Sequence, residues 1–278
     1  MPEGDSVLQL SRRLQFMTGR EVTHTSLRVP SVALTRFDGD IVERVWPYGK
    51  HLFMQIGDRI LHTHLRMEGT WAIHRVGERW RKPGHTARVV LHLADARPIE
   101  IVGHSLGFVR VFGVDDYHTH IAHLGPDVLG DWDAGEAQRR LLGDTRATIG
   151  EALLDQRNLA GVGNEYRAEI CFLAGVHPAR SVGEVNVDRI LEITRRIMWA
   201  NRNAPVRVTT GVRRAGETSY VFGRHGRPCR RCGEVIQRAW LGERIIWWCP
   251  ACQPSPADYV AVPVAPTGRP PRPTLYRG

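Results

Sequence analysis

The chain has 278 residues, room for about two domains and a real core, and its 38 Lys and Arg against 29 Asp and Glu give a net charge of +9. That balance favours an anionic partner such as nucleic acid. No stretch approaches the ~20 apolar residues of a membrane span, and the opening run to Leu14 carries Glu3 and Asp5 without an apolar core, unlike a signal peptide. The expected location is the cytoplasm, on the nucleoid, with no membrane partner. Of the basic residues 36 are Arg, so Lys50 and Lys82 stand out as positions where a compact ammonium is wanted rather than a planar fork.

Taken in chain order, Met1 precedes Pro2, a small residue that permits methionine removal and would leave a free secondary amine. An α-amine with a reference pKa of ~8 becomes a nucleophile when neighbouring cations depress it. Val7, Leu10 and Leu14 recur at helical spacing up to Gly19, which predicts a first amphipathic helix. Short β-branched runs at Ile41–Val45, His51–Ile56, Arg59–His64, Thr86–Leu93 and Pro98–Val102, separated by Gly, Asp or Pro, predict a β-sandwich or barrel of ~120 residues. His62, His64 and His74 alternate with apolar residues and read as solvent-facing strand positions rather than a metal cluster.

Past Gly125, Pro126 and Asp127 the pattern turns helical, with expected helices at Ala134–Leu142, Ile149–Asp155, Asn164–Leu173 and Val185–Asn201. Thr148 is an expected cap, and Gly161–Asn164 forms a turn between two helices, the logic of helix-turn-helix DNA binders. Cys171 falls at a buried helical position. The predicted domains are 1–125, 126–220, 221–254 and a disordered tail, 255–278.

Cys229, Cys232, Cys249 and Cys252 form two C-x2-C pairs sixteen residues apart. Four thiolates at that spacing suit one closed, tetrahedral structural zinc, with a β-hairpin through Leu241 and Gly242 between the pairs. No organic cofactor is expected.

Four motifs together resemble the formamidopyrimidine-DNA glycosylase and endonuclease VIII family, over residues 1 to about 253: Met-Pro-Glu-Gly at 1–4, Tyr-Gly-Lys-His-Leu at 48–52, Leu-Asp-Gln-Arg-Asn-Leu-Ala-Gly-Val-Gly-Asn at 154–164, and the cysteine region at 227–253. The opening Met-Pro-Glu-Gly-Asp resembles the second actinobacterial type of the endonuclease VIII branch. The resemblance implies an α+β multidomain fold: an N-terminal β-sandwich with a flanking helix, a helix-two-turns-helix domain and a C-terminal zinc-finger β-hairpin. It implies a monomeric bifunctional DNA glycosylase and abasic-site lyase acting on damaged DNA, with oxidised pyrimidines as the expected bases and β,δ-elimination as the outcome.

By the same resemblance Pro2 is the Schiff-base nucleophile, Glu3 the acid/base, and Lys50 a phosphate contact that assists catalysis. Asn164 and Arg244 resemble residues that grip backbone phosphates. Met67 matches the position that fills the stack behind an extruded nucleotide; Leu106 and Phe108 lie in the region of its partner fillers without reproducing either branch's pattern. Asp5 and Ser6 depart from the family, many members having Pro or Thr and then Glu, so no catalytic role is carried to the sixth position. The rival reading is a non-catalytic zinc protein that binds damaged DNA, which has no need of Pro2, Glu3 and Lys50 together.

Overall fold

The computed structural model describes residues 2–265. Met1, whose removal is a sequence expectation, and the tail from 266 onward lie outside the described residues. The chain divides into two compact units between Asp131 and Trp132.

The first unit opens with helix α1, Gly4–Arg13, and carries two four-stranded antiparallel sheets. The strands are β1 (Val22–Leu27), β2 (Val42–Tyr48), β3 (His51–Ile56), β4 (Arg59–His64), β5 (Thr70–Arg75), β6 (Ala87–Leu93), β7 (Ile99–His104) and β8 (Phe108–Gly113), followed by the short helix α2, Tyr117–Ile121. One sheet has the order β1-β6-β7-β5 and the other β2-β3-β4-β8. Their inner faces share one core: Val22, Leu91 and Ile101 from the first meet Val45, Leu52, Met54 and Leu61 from the second, with Val7 and Leu10 of α1 and its C-cap Leu14 in the same cluster. The 3.6-residue period of α1 is what points those three side chains at β2 and β3.

The histidines correct a sequence expectation. His62 is 3% exposed, not solvent-facing. Period-2 alternation does turn His51, Phe53, His62 and His64 away from the inner core, but that outer face is covered. Phe53 stacks on His62 at 4.2 Å, while Phe108, Phe112 and Tyr117 close over the layer edge-on.

The second unit holds α3 (Ala134–Leu141), α4 (Ile149–Ala152), α5 (Asn164–Ala174), α6 (Val187–Asn201) and the hairpin β9 (Gln237–Leu241) and β10 (Arg244–Trp248). Asp133, Thr148 and Asn186 cap α3, α4 and α6 through their side chains. The turns between α4 and α5 are stapled by one amide: Gln156 Nε2 donates to the Leu154 and Val162 carbonyls, and Gln156 Oε1 accepts from the Gly161 amide, at 2.8, 3.0 and 3.0 Å. The hairpin shares its core with α5, since Ala168 and Phe172 pack with Val221, Ile236, Cys229 and Cys249.

The expected disorder after Gln253 does not hold for its first part. Trp240 donates its amide to the Val262 carbonyl at 2.9 Å, and Tyr259 packs on His177 and Trp248. A polar, Pro-containing sequence is ordered here because one aromatic and one edge-strand hydrogen bond tie it to the hairpin. No helix among the described residues is long and apolar enough to cross a membrane.

Candidate active site and nucleic-acid interface

Pro2 immediately precedes α1, and Glu3 is the N-cap of that helix, fully buried. A carboxylate at a helix N-terminus is stabilised by the unpaired first-turn amides and the helix dipole. Lys50 sits in the two-residue turn between β2 and β3, where Gly49 takes φ +55°. Gly4 and Gly49, the neighbours of Glu3 and Lys50, line the same cavity of about 440 Å³, together with Arg44, Trp46, Tyr48, Tyr117 and Asp127. The packing of α1 along β2 and β3 thus brings the chain start and the lysine turn to one place, which sequence separation concealed.

Beyond Lys50 the imidazole layer continues. His51 Nδ1 and His62 Nε2 lie 2.9 Å apart, and His64 Nδ1 accepts the Arg66 amide at 2.8 Å. Burial is the main cause holding all three neutral: His62 is lowered to about 2, His51 to about 3 and His64 to about 4, with the Lys50 charge adding to the last two. Because the folded values lie below the unfolded ~6.5, the unfolded chain binds more protons in acid. Stability is therefore fully present above pH ~6.5 and falls as pH drops toward 4, by roughly 1.4 kcal/mol per pH unit per buried histidine. Urea melts at pH 7.5 and 5 should show the loss, and His62→Leu should lessen it by one histidine's share; an unchanged loss in that variant would reject this cause.

His64 also anchors the turn that carries Met67. Arg66 adopts φ +50°, Gly69 donates to the Leu65 carbonyl at 2.9 Å, and Gly107 donates to the His64 carbonyl at 2.7 Å. A Cβ on Gly69 would fall 2.4 Å from the Leu65 oxygen, and one on Gly107 2.3 Å from Arg66 Cγ, so both positions require glycine. Met67 is presented on this locked turn, 59% exposed. Leu106 is 7% exposed and belongs to the sandwich core, which removes it from the candidate fillers; Phe108 is half-buried against His51, His62 and His64.

In the second unit Asn164 lies against β10, the strand that Arg244 opens. Asn164 is the first residue of α5, 9% exposed, and its Nδ2 donates to the Ile245 carbonyl at 3.2 Å. Arg167 bonds Asn164 Oδ1 and donates to the same carbonyl at 2.8 Å. Arg244, exposed at the start of β10, follows the turn residues Gly242 and Glu243. A Cβ on Gly242 would lie 2.8 Å from Glu151 Oε1, so the hairpin tip sits close on α4. Arg167 and Glu169 were missed by sequence reasoning; their signal was two charges inside a buried helical run. The Glu169 carboxylate accepts the amides of Tyr220, Val221 and Phe222 at 2.8–2.9 Å and the Thr209 hydroxyl, tying that segment to α5. Cys171 is buried, its thiol pushed up to about 12 by desolvation, and is packing rather than chemistry.

The four hairpin cysteines bring their Sγ atoms within 4.8 Å of one another. Three of the separations are 3.4, 3.5 and 4.0 Å. A tetrahedral zinc with Zn–S of about 2.3 Å sets its sulfurs near ~3.8 Å apart, so the cluster fits that ion. The amides of Arg231 and Cys252 point at the sulfurs of Cys229 and Cys249, at 3.4 Å each, as thiolate ligands favour.

Residues 1–105 match the formamidopyrimidine-DNA glycosylase N-terminal domain, and residues 124–209 the formamidopyrimidine-DNA glycosylase H2TH domain. The chain is 44% identical to Probable endonuclease 8 2 of Streptomyces coelicolor, over 92% of this chain and 95% of that protein. It is 41% identical to the DNA-(apurinic or apyrimidinic site) lyase Nei2 of Mycolicibacterium smegmatis, over 91% and 99%. A structure of Lactococcus lactis Fpg with DNA containing an abasic site has the same fold, with a TM-score of 0.75 at 22% identity, covering 91% of this chain and 100% of that one. These sequence relatives, the two matched domains and the shared fold establish that the chain belongs to the formamidopyrimidine-DNA glycosylase and endonuclease VIII family, on the endonuclease VIII branch.

Proposed function

We infer that the chain is a bifunctional DNA glycosylase and abasic-site lyase of base excision repair, with Pro2 as its nucleophile. The observation that carries this reading is the placement of Pro2 and the buried Glu3 at the start of α1, beside the cavity that the lysine turn also lines. With Met1 removed, the Pro2 amine attacks C1′ of a damaged nucleotide, and the base departs with a proton as the C1′–N bond breaks. Glu3 supplies and takes protons while the sugar ring opens to an iminium. Loss of a C2′ proton then expels the 3′ phosphate, and a second elimination expels the 5′ phosphate. Oxidised pyrimidines are the bases we assign, on the endonuclease VIII branch.

Extruding a nucleotide costs a few kcal/mol of stacking, which Met67, exposed on its locked turn, offsets by filling the gap. Lys50, Asn164 and Arg244 hold backbone phosphates and a single zinc is held by Cys229, Cys232, Cys249 and Cys252, where it supplies structure only. The net charge of +9 adds salt-sensitive attraction to DNA, on the nucleoid.

Strand cleavage across a lesion panel of duplexes carrying oxidised pyrimidines, oxidised purines or an abasic site tests the assignment. Cleavage with phosphate at both ends supports it. Tight binding of damaged DNA without cleavage by zinc-loaded, correctly processed protein would establish the non-catalytic reading instead. Arg244→Ala should weaken binding by roughly 1.5–3 kcal/mol and lower the salt slope by about 1, with melting unchanged because the side chain is exposed; unaltered binding rejects the phosphate contact.

A further inference from the structure

Asp5 and Ser6, where many members of the family carry other residues, are joined to the reacting end by hydrogen bonds. Asp5 is 3% exposed at the second position of α1, and its Oδ1 accepts from the Ser6 amide at 2.7 Å and from the Ser6 hydroxyl at 3.2 Å. Ser6 Oγ in turn accepts from the Glu3 amide at 3.4 Å. Glu3 and Ser6 form a capping box in reversed order, the acid at the N-cap and the hydroxyl at N3.

The direction of this chain follows from donor inventory. A serine hydroxyl has one proton and two lone pairs. Asp5 takes the proton, which turns the lone pairs toward the Glu3 N–H. That N–H belongs to the Pro2–Glu3 peptide, a rigid plane. With the plane held, the remaining freedom of Pro2 relative to α1 is rotation about its Cα–C bond, and that rotation sets where the ring amine points. The same contact anchors Glu3 as helix cap. One carboxylate therefore narrows the nucleophile to that single rotation and anchors the acid/base, without touching substrate.

We propose that Asp5 is a positioning residue which, through the Ser6 hydroxyl, fixes the Pro2–Glu3 peptide so that the Pro2 amine is aimed for attack. The inference rests on Pro2 being the nucleophile.

The test is single-turnover borohydride trapping on abasic-site duplex, with the dissociation constant measured on a non-cleavable abasic analogue, and intact mass confirming removal of Met1 in each preparation. Ser6→Ala and Asp5→Ala should slow trapping on the order of tenfold to a hundredfold, at a binding constant within about twofold of the parent. Ser6→Thr, which keeps the hydroxyl, should restore the rate to within about threefold. Ser6→Ala trapping at the parental rate overturns the proposal. So does a loss that appears in binding alone, or one that Ser6→Thr fails to restore. Asp5→Ala is read only if its melting curve is cooperative; the serine pair carries the test otherwise. Failure of the parent protein to trap defeats the functional reading and this inference together, whereas a trapping parent with indifferent variants defeats the inference alone.

Discussion

Glu3→Gln is expected to slow excision of a damaged base by about 10²- to 10⁴-fold while sparing more of the reaction on DNA that already carries an abasic site. The glutamate is buried at the N-cap of α1, so glutamine can keep its shape and its place in the capping box. What glutamine cannot do is exchange a proton. Excision needs proton transfer as the base leaves and the sugar opens, whereas an abasic site already opens to an aldehyde that an amine can attack unaided. The check is a pair of single-turnover rates, one on a lesion duplex and one on an abasic duplex, using the same preparation. A variant that excises bases at the parental rate removes Glu3 from the mechanism.

The second large effect is at the zinc ligands. Cys249→Ala, or removal of metal by a chelator, is expected to unfold the hairpin and to weaken DNA binding, because structural zinc contributes on the order of 10 kcal/mol to folding such units. The loss should spread further than the hairpin. Cys229 and Cys249 share a buried cluster with Ala168, Phe172, Val221 and Ile236, so one face of α5 is exposed when the ligands separate. Asn164 and Arg167 then lose the Ile245 carbonyl that holds them against β10. Hydrogen exchange with and without chelator should show faster exchange in β9, β10 and the α5 face, with the β-sandwich unchanged. Protection in the hairpin that survives complete metal removal would contradict a folding role for zinc.

Sequence reasoning reached different depths in different parts of the chain. The cysteine pairs were legible because zinc ligation imposes a local spacing, and β3 and β4 were read to the residue because alternation and Gly57 mark their ends. The strands β1, β5 and β8 went unread. Val22–Leu27 is broken by the exposed Thr23 and His24, Thr70–Arg75 exposes the apolar Ile73, and their partners lie far along the chain, as in the pairing of Val22 with Leu93. The burial of His62 was hidden for a similar reason, since part of its cover, Phe108 and Phe112, comes from β8, far along the chain from β4. Pro2 by itself said almost nothing. Its meaning came from the family resemblance, and the structure adds what periodicity could not give: the Asp5–Ser6–Glu3 hydrogen bonds and the common cavity beside Lys50.

The amine of Pro2 is expected to form the covalent bond to DNA. Mass mapping of the borohydride-trapped complex tests it most directly, after digestion of both protein and oligonucleotide. The reduced sugar adduct is expected on a terminal peptide beginning at Pro2, with Met1 absent, and protein that retains Met1 is expected to give no trapped complex. An adduct on Lys50, or trapping by protein with a blocked terminus, would contradict it.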